Sequence, residues 1–449
     1  MRHTPHAALV AAALIAGGPI AAQDAPPVPV TVIENVRVFT GTNDALTPPR
    51  TVTIEGDTIA VIADPAAATV PEGARVIAGA GRTLMPGLID MHTHLTMATV
   101  PMIVMMTAQP DYIALRTARA AEEMLMRGFT SVRDLGGPTF GLKRAIDEGV
   151  VVGPRIWPSG ATISQTSGHG DFRTVYDIPR SNGAPRHFTE TQGFAAIADG
   201  RAEVLRAVRE QLMQGASQIK LMAGGGVASN YDPLDVSQFT ADELRAAVEA
   251  AEDWGTYVTV HAYTPDAIQA AIAAGVRCID HGQLADAETA RMMAEEGVWW
   301  SMQPFLDDED AIPFPEGTPN RAKQLQMTEG TDRAYALAKE HGVKLAWGTD
   351  TLFDARLATR QGAQLAKMTR WFTPAEVLRM ATATNAELLA LSGERSPYAG
   401  RLGVVEAGAL ADLLLIDGDP LAGIDLIADP ANIDMIMKGG VIHKAPTTG

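Results

Sequence analysis

Cysteine is nearly absent from this 449-residue chain: Cys278 stands alone, so no intramolecular disulfide can form in any redox compartment. That lone cysteine is most simply a buried core thiol. Positive charge is also short, with 36 Lys and Arg against 53 Asp and Glu and a formal net charge of −17. No basic cluster relieves that balance, which works against nucleic acid as a partner and favours a small molecule. Aromatic residues make up only 5%. Past the N-terminus no run of about 20 uninterrupted apolar residues occurs, which argues against a membrane span after that point. Disorder is equally disfavoured, because 46% of the residues are hydrophobic, enough for one large core and a smaller second unit.

What the N-terminus does contain is ordered. Met1-Arg2-His3 is followed by an Ala-rich apolar run from Ala7 to Ile20 and by Ala21-Ala22-Gln23. Basic, apolar and small-residue regions in that order predict a signal peptide over residues 1–22 and a periplasmic or secreted product that leaves no membrane anchor behind; a retained anchor is the alternative. Short β-rich stretches then run through Val30–Glu34, Val36–Phe39, Thr51–Ile54 and Thr58–Ile62, with Glu55-Gly56-Asp57 as a turn. The far end repeats this character at Ala411–Asp417 and Met435–Ile442. Residues 23–84 and 401–449 are therefore expected to form one composite β-sandwich domain from both chain ends.

The middle, residues 85–400, alternates short apolar strands with amphipathic helices. Eight strands are predicted, at Gly87–His92, Thr130–Asp134, Arg155–Ser159, Gln218–Leu221, Tyr257–His261, Arg277–His281, Gly297–Met302 and Lys344–Asp350. Helices such as Tyr112–Met126, Arg201–Met213, Ala241–Ala251 and Ala287–Glu296 separate several of them. The fold class expected is α/β, a closed (β/α)8 TIM barrel, because ionisable residues recur at the C-terminal ends of the strands.

Those residues carry the chemistry. Asp90-Met91-His92-Thr93-His94 follows an apolar strand, and an i, i+2 spacing on extended backbone points both imidazoles to one face, where they can reach one cation. Lys220, His261, His281 and Asp350 each close a further strand. Each alone has a structural explanation: a satisfied core histidine, or a lysine paired with a nearby carboxylate. Together they describe a metal site.

With this set the chain resembles the amidohydrolase superfamily, in its binuclear branch of Xaa-Pro dipeptidases and imidazolonepropionase-like hydrolases. The resemblance extends through Gly128–Asp134, Ser167-Gly168-His169-Gly170-Asp171 and Gly408–Asp412. It implies that His92, His94 and Asp350 hold the more buried of two divalent metal ions, and that His261 and His281 hold the second. It also implies that Lys220 is carboxylated and bridges both. Zinc is the default, although manganese and cobalt suit the same ligands. A carbamate makes physical sense there, since an ammonium beside two dications would be repelled.

The mechanism so implied is hydrolysis by a metal-bridging hydroxide, with Asp350 moving the proton. His169, in a Gly-rich loop, either hydrogen-bonds the developing oxyanion or serves only to fold Gly168–Asp171. Tyr231, Arg133 and Arg360 are the candidate anchors for a substrate carboxylate. Tyr231 is alternatively a surface residue, and Arg133 alternatively pairs with a structural acid. Met102, Met105 and Met106 are read as core or pocket, and Val298-Trp299-Trp300 as packing between the strands. The expected substrates are small N-acyl amino acids or dipeptides, including Xaa-Pro dipeptides and, from similar hydrolases, ochratoxin. A homo-oligomer is plausible for the family.

Two rival activities use related sites. A deaminase or cyclic-amidine hydrolase of this superfamily usually carries a glutamate three residues after the fifth-strand histidine and lacks the lysine, whereas this chain reads His261-Ala262-Tyr263-Thr264 and has Lys220. A lactonase or organophosphate hydrolase would use the same metals. A catalytically silent metal-binding protein would be expected to have lost ligands. One departure stands out: Arg360-Gln361-Gly362-Ala363-Gln364-Leu365 replaces the His-Gly and later Glu-Leu of many dipeptidase relatives, which weighs against carrying proline specificity across.

Overall fold

The computed structural model describes residues 28–177 and 183–446; the expected signal peptide lies outside the described residues. The chain opens with β1 (Val30–Val38), β2 (Arg50–Glu55), β3 (Thr58–Ala63), β4 (Arg75–Ala78) and β5 (Thr83–Pro86). The middle contributes β6 (Leu88–Thr93), β7 (Phe129–Asp134), β8 (Arg155–Pro158), β9 (Thr162–Ser164) and β10 (Ala195–Ile197), then β11 (Ile219–Met222), β12 (Val258–Ala262), β13 (Cys278–His281), β14 (Trp299–Met302) and β15 (Leu345–Trp347). β16 (Leu413–Ile416), β17 (Ile433–Lys438) and β18 (Val441–Lys444) close the described chain. Among the described residues no helix is long and apolar enough to cross a membrane.

One sheet joins the two ends in the order β18-β17-β16-β5-β1-β2-β3, with β4 on β1. β2 and β3 form a tight antiparallel hairpin in which Glu55 faces Thr58. The intervening Gly56 has φ +62°, a left-handed turn conformation that glycine adopts without strain. The far end reaches this sheet because β16 pairs antiparallel with β5, Leu414 opposite Met85. Side chains alternate across a strand, and β16 uses both faces. Leu413 and Leu415 pack with Ile33, Val52 and Leu84, whereas Leu414 and Ile416 enter the main core with Phe129 and Leu125. Every residue of Leu413–Ile416 is therefore buried.

The middle strands pair in parallel throughout, as expected of an α/β fold, and each of the eight predicted strands overlaps an observed one. Two further strands, β9 and β10, are only three residues each, too short for a periodic pattern. The ladder, however, is not the single eight-stranded one anticipated. It falls into β6-β7-β8 and β10-β9-β11-β12-β13-β14-β15.

The breaks have a physical cause: polar side chains replace backbone rungs. Between β15 and β6, Asn385 donates to the carbonyls of Ile89 (2.8 Å) and Trp347 (2.9 Å) and accepts from Trp347 N (3.1 Å). A little further along, Asp90 accepts from the backbone of both His92 (3.0 Å) and Thr349 (3.1 Å). Between β8 and β11, the Gln218 amide donates to Trp157 O at 2.9 Å. One backbone bond crosses each break, Asp350 N to His92 O and Ser217 N to Pro158 O, both 2.8 Å. Buried backbone groups must find partners, and here side chains supply them. Asn385 directly follows a π-helical turn, Met380–Thr384, a local widening often found beside functional sites.

Replacing Asn385 with Ala would strand buried donors and acceptors on both strand edges. The Asn385→Ala variant is expected to lose on the order of 2–4 kcal/mol of stability in chemical denaturation. An unchanged denaturation midpoint would show that the strand edges are satisfied without it.

Candidate metal centre

The sequence-predicted ligands converge at the C-terminal ends of the strands. His92 in β6 and His94 just after it are both buried, with ring centroids 5.2 Å apart. The Nε2 atoms of His92 and His94 lie 3.3 and 3.1 Å from the same oxygen, Asp350 Oδ1. That oxygen is buried and has no hydrogen-bond donor. The ring of His281 lies 4.9 Å from that of His92, and ligand atoms of His92, His281 and Asp350 lie within 4.8 Å of one another. Nitrogen and carboxylate donors gathered around one point, with an orphaned carboxylate oxygen at its centre, fit a divalent cation.

Backbone strain helps to aim these groups. Adjacent residues of a strand face opposite ways, yet Asp280 and His281 both serve the interior. His281 achieves this with φ +75°, and Asp350, beyond the end of β15, has φ +50°. Left-handed backbone at non-glycine residues is costly and is held by its surroundings. Here Trp300 Nε1 donates to His281 O at 2.7 Å, and the Asp350 amide is tied to His92 O. A further layer orients the rings. His281 Nδ1 meets Gln303 Oε1 at 2.7 Å, which makes Nδ1 the donor and leaves Nε2 with its lone pair free; His94 Nδ1 lies 3.4 Å from Gly136 O.

Burial sets the charge states. It pushes His92 down to about 4 and His281 to about 3, and carries His261 well below the usual imidazole range. All three are therefore neutral at neutral pH, the form that binds metal. For Asp350 burial opposes the charge, but the imidazoles of His92, His94 and His281 outweigh it and keep the carboxylate ionised.

His261 and Lys220 line the same cavity, and His261 does not join the compact group of His92, His281 and Asp350. His261 stacks 4.1 Å from His169 and lies edge-on to His281 at 4.5 Å, while its Nε2 contacts Gly225 O at 3.1 Å. Lys220 Nζ sits 2.6 Å from Asp280 Oδ2, the paired-lysine arrangement set out above as the alternative to a carbamate. Burial, the largest influence on Lys220, lowers its basicity and favours the neutral amine.

Asp280 is the residue the sequence reading missed. It also receives Arg133 Nη2 at 2.8 Å and Thr259 Oγ1 at 2.7 Å. Its only signal was adjacency to His281, which strand alternation would have turned away from the site.

His169 lines the cavity with Nδ1 2.7 Å from Ser229 Oγ and 3.6 Å from Asp232 Oδ2. Gly226 lies against this ring: a Cβ there would fall 1.9 Å from the imidazole, so only glycine permits the approach. Tyr231 reaches the cavity wall and is 46% exposed. Met102 and Met106 line the cavity while Met105 is buried in the core, and Trp299 and Trp300 are buried packing residues. Cys278 is a buried free thiol.

Two expected carboxylate anchors are corrected. Arg133 is completely buried beneath the site, donating to Met91 O (2.7 Å), Tyr257 Oη (3.0 Å), Asp280 and Ser301 Oγ (3.1 Å), so it is an internal tie that no substrate reaches. Arg360 pairs with Asp310 and, at 3.2 Å, with Glu309, and it is not among the residues lining the cavity around His92 and Asp350.

Comparison with known proteins supplies the family. The model of the amidohydrolase family matches residues 83–442. An ochratoxinase of Aspergillus niger is 34% identical over 384 residues, covering 82% of this chain and 76% of that protein. Its crystal structure superposes with a TM-score of 0.79, covering 94% of this chain and 98% of that one at 29% identity. A prolidase crystallised with N-methylphosphonate-L-proline is 35% identical with a TM-score of 0.85, covering 93% of this chain and all of that one. An imidazolonepropionase of Deinococcus radiodurans is 27% identical over 369 residues, covering 78% of this chain and 82% of that protein. With a family match spanning most of its length and with His92, His94, His281 and Asp350 gathered at one end of its parallel strands, the chain belongs to the amidohydrolase family and is a hydrolase.

Proposed function

We infer that this enzyme hydrolyses the amide bond of small N-acyl amino acids or dipeptides at a site that holds two divalent cations, zinc by default. The observation that carries this is Asp350 Oδ1, buried without a donor and flanked by the imidazoles of His92 and His94. Support for the substrate class comes from the ochratoxinase and prolidase similarity, since ochratoxin and Xaa-Pro dipeptides are both acylated amino acids with a free carboxylate. His92, His94 and Asp350 would hold one cation, His261 and His281 the other, and a carboxylated Lys220 would bridge them. Bound cations supply Lewis-acid polarisation of the scissile carbonyl and acidify water.

The remaining work falls to the chain's own groups. Asp350 takes the proton from the attacking water and delivers it to the leaving nitrogen. His169 presents its ring to the carbonyl oxygen as charge develops there, held by Ser229 on its other side. Tyr231, on the wall of the same cavity, receives the carboxylate of the leaving amino acid.

The two parallel ladders are taken as the wall of one (β/α)8 barrel spanning residues 85–400, supported by the side-chain stitching at both breaks. Residues 23–84 and 401–449 are taken as a composite β-sandwich, supported by the pairing of β16 with β5 and by the core the two ends share. A secreted or periplasmic, homo-oligomeric enzyme completes the proposal; export is supported by the order of residues from Met1 to Gln23.

The Asp350→Asn variant is expected to lose turnover of an N-acyl amino acid by at least about a hundredfold while its circular dichroism stays native; normal turnover would remove the proton-transfer role. For Lys220→Ala, the metal content measured by plasma mass spectrometry is expected to fall, with partial recovery of activity on adding a short carboxylate such as propionate. Full metal content with no rescue would contradict the bridging role.

A further inference from the structure

Positive charge is scarce around the cavity over the metal centre. Among the described residues lining it, Lys220 and Arg173 are the only lysine and arginine, and Lys220 is already paired with Asp280. The same lining carries Phe172, Met222, Leu352 and Phe353. Beside apolar walls a cation attracts an anion more strongly than it would in open water.

Arg173 is held by one edge. Its Nε donates to Asp171 Oδ1 at 2.8 Å and its Nη2 to Asp171 Oδ2 at 2.7 Å, with Thr166 Oγ1 a further 3.4 Å contact of Nη2. Asp171 is filled by these donors together with the backbone of Ser167 (2.9 Å) and of Arg173 (3.2 Å), so it acts as a holder. Nη1 has no hydrogen-bond partner among the described residues, and it is not one of the atoms sealed from solvent. A guanidinium is a planar fork, and the edge formed by its two terminal nitrogens matches a carboxylate. Arg133, by contrast, spends all three nitrogens in the interior, and Arg360 does not line this cavity. Because Asp171 fixes the fork before anything binds, little side-chain freedom is lost on taking up a ligand. The loop that carries Arg173 also touches the one that carries Tyr231, Ser167 Oγ donating to Tyr231 O at 3.4 Å.

We propose that Arg173 is the cationic seat of the substrate carboxylate and makes the enzyme selective for amides whose leaving amine carries one. The inference rests on the amide-hydrolase reading above and deepens it by naming a charged partner beside Tyr231. A phenol offers a single neutral hydrogen bond, whereas the guanidinium edge offers charge-assisted bonds in a fixed geometry. Since Asp171 balances the charge of Arg173, the seat works at contact range, through that geometry.

The test uses metal-loaded enzyme and pairs of amides that differ only in the carboxylate: N-acetyl-L-phenylalanine with N-acetyl-2-phenylethylamine, and N-acetyl-L-proline with N-acetylpyrrolidine. The ratio of kcat/KM within each pair is read, and binding of the N-methylphosphonyl analogues of the same four amines, which needs no turnover, is measured by calorimetry. The wild type is expected to favour the carboxylate member by about tenfold or more, in turnover and in binding. Arg173→Met is expected to cut that preference by about tenfold, chiefly through KM, and Arg173→Lys to restore part of it. The double variant Asp171→Asn with Arg173→Met leaves no unpaired carboxylate in the loop and is expected to lose the preference equally, whereas general damage to the fold would lower both members of a pair alike. A wild-type ratio near one, or a preference that survives in both Met variants, overturns the proposal. If none of the amides is turned over while the carboxylate-bearing phosphonates bind in an Arg173-dependent way, the seat stands and the amide-hydrolase reading falls. Turnover whose ratio ignores Arg173 reverses that outcome, and absence of both turnover and Arg173-dependent binding overturns the two together.

Discussion

A guanidinium, an amine and a carboxylate meet out of reach of water where Arg133, Lys220 and Asp280 pack beneath the histidines. None could remain there alone, because removing one member of a buried charged set leaves its partner uncompensated at a cost of roughly 3–5 kcal/mol. The group is also a mechanical tie. Arg133 stands on β7 and reaches the β6 carbonyl of Met91, Asp280 on β13, Ser301 on β14, and Tyr257, which immediately precedes β12. Asp280 in turn holds Lys220 on β11 and approaches His92 Nδ1 at 3.5 Å. The positions of the site's strands relative to one another therefore depend on one buried charge balance.

The site lies where the parallel ladder is interrupted, and the interruption has a use. A regular ladder would impose extended backbone and strict alternation at His92 and Asp350. With Asp90 and Asn385 occupying the edges of β6 and β15, Asp350 is free to adopt its left-handed backbone and turn its carboxylate to the imidazoles. The same Asp90 carboxylate accepts Thr349 Oγ1 at 2.7 Å and Gln361 Nε2 at 2.8 Å. Gln361 falls in the stretch that departs from the dipeptidase pattern, and this contact gives it a structural task beneath the candidate site.

A single helix disciplines the loops above. From Pro319–His341, Lys323 Nζ donates to the carbonyls of Gly226 (2.6 Å), Ser229 (2.8 Å) and Asp232 (3.1 Å), and Asn320 donates to Val227 O at 2.7 Å. The loop so gripped carries Ser229, Tyr231 and the carboxylate facing His169. Further along, Gln324 and Thr331 hold the segment with Phe305 and Phe314. Both loops are thus held by the same helix.

Much of this was readable in the sequence, because strands and metal ligands leave local marks. Short apolar runs, several of them ending in His, Lys or Asp, located all eight predicted strands, and His92 and His94 share a face because of their i, i+2 spacing on the extended strand. The resemblance of the ligand set to the amidohydrolases agreed with the family match. Other features left no such mark. β9 and β10 are too short for periodicity, and the breaks in the ladder arise from Asn385 meeting Ile89, a contact between residues far apart in the chain. Arg133 and Arg360 looked like anchors because an arginine's residue type does not reveal its partner; Asp280 and Asp310 had already taken them. The sequence by itself determined which residues could bind metal and that parallel strands would carry them, since both follow from side-chain chemistry and local periodicity. Only the tertiary structure decided which charges are spent on one another and which face the cavity, because that pairing depends on long-range contacts and on the left-handed backbone at His281 and Asp350.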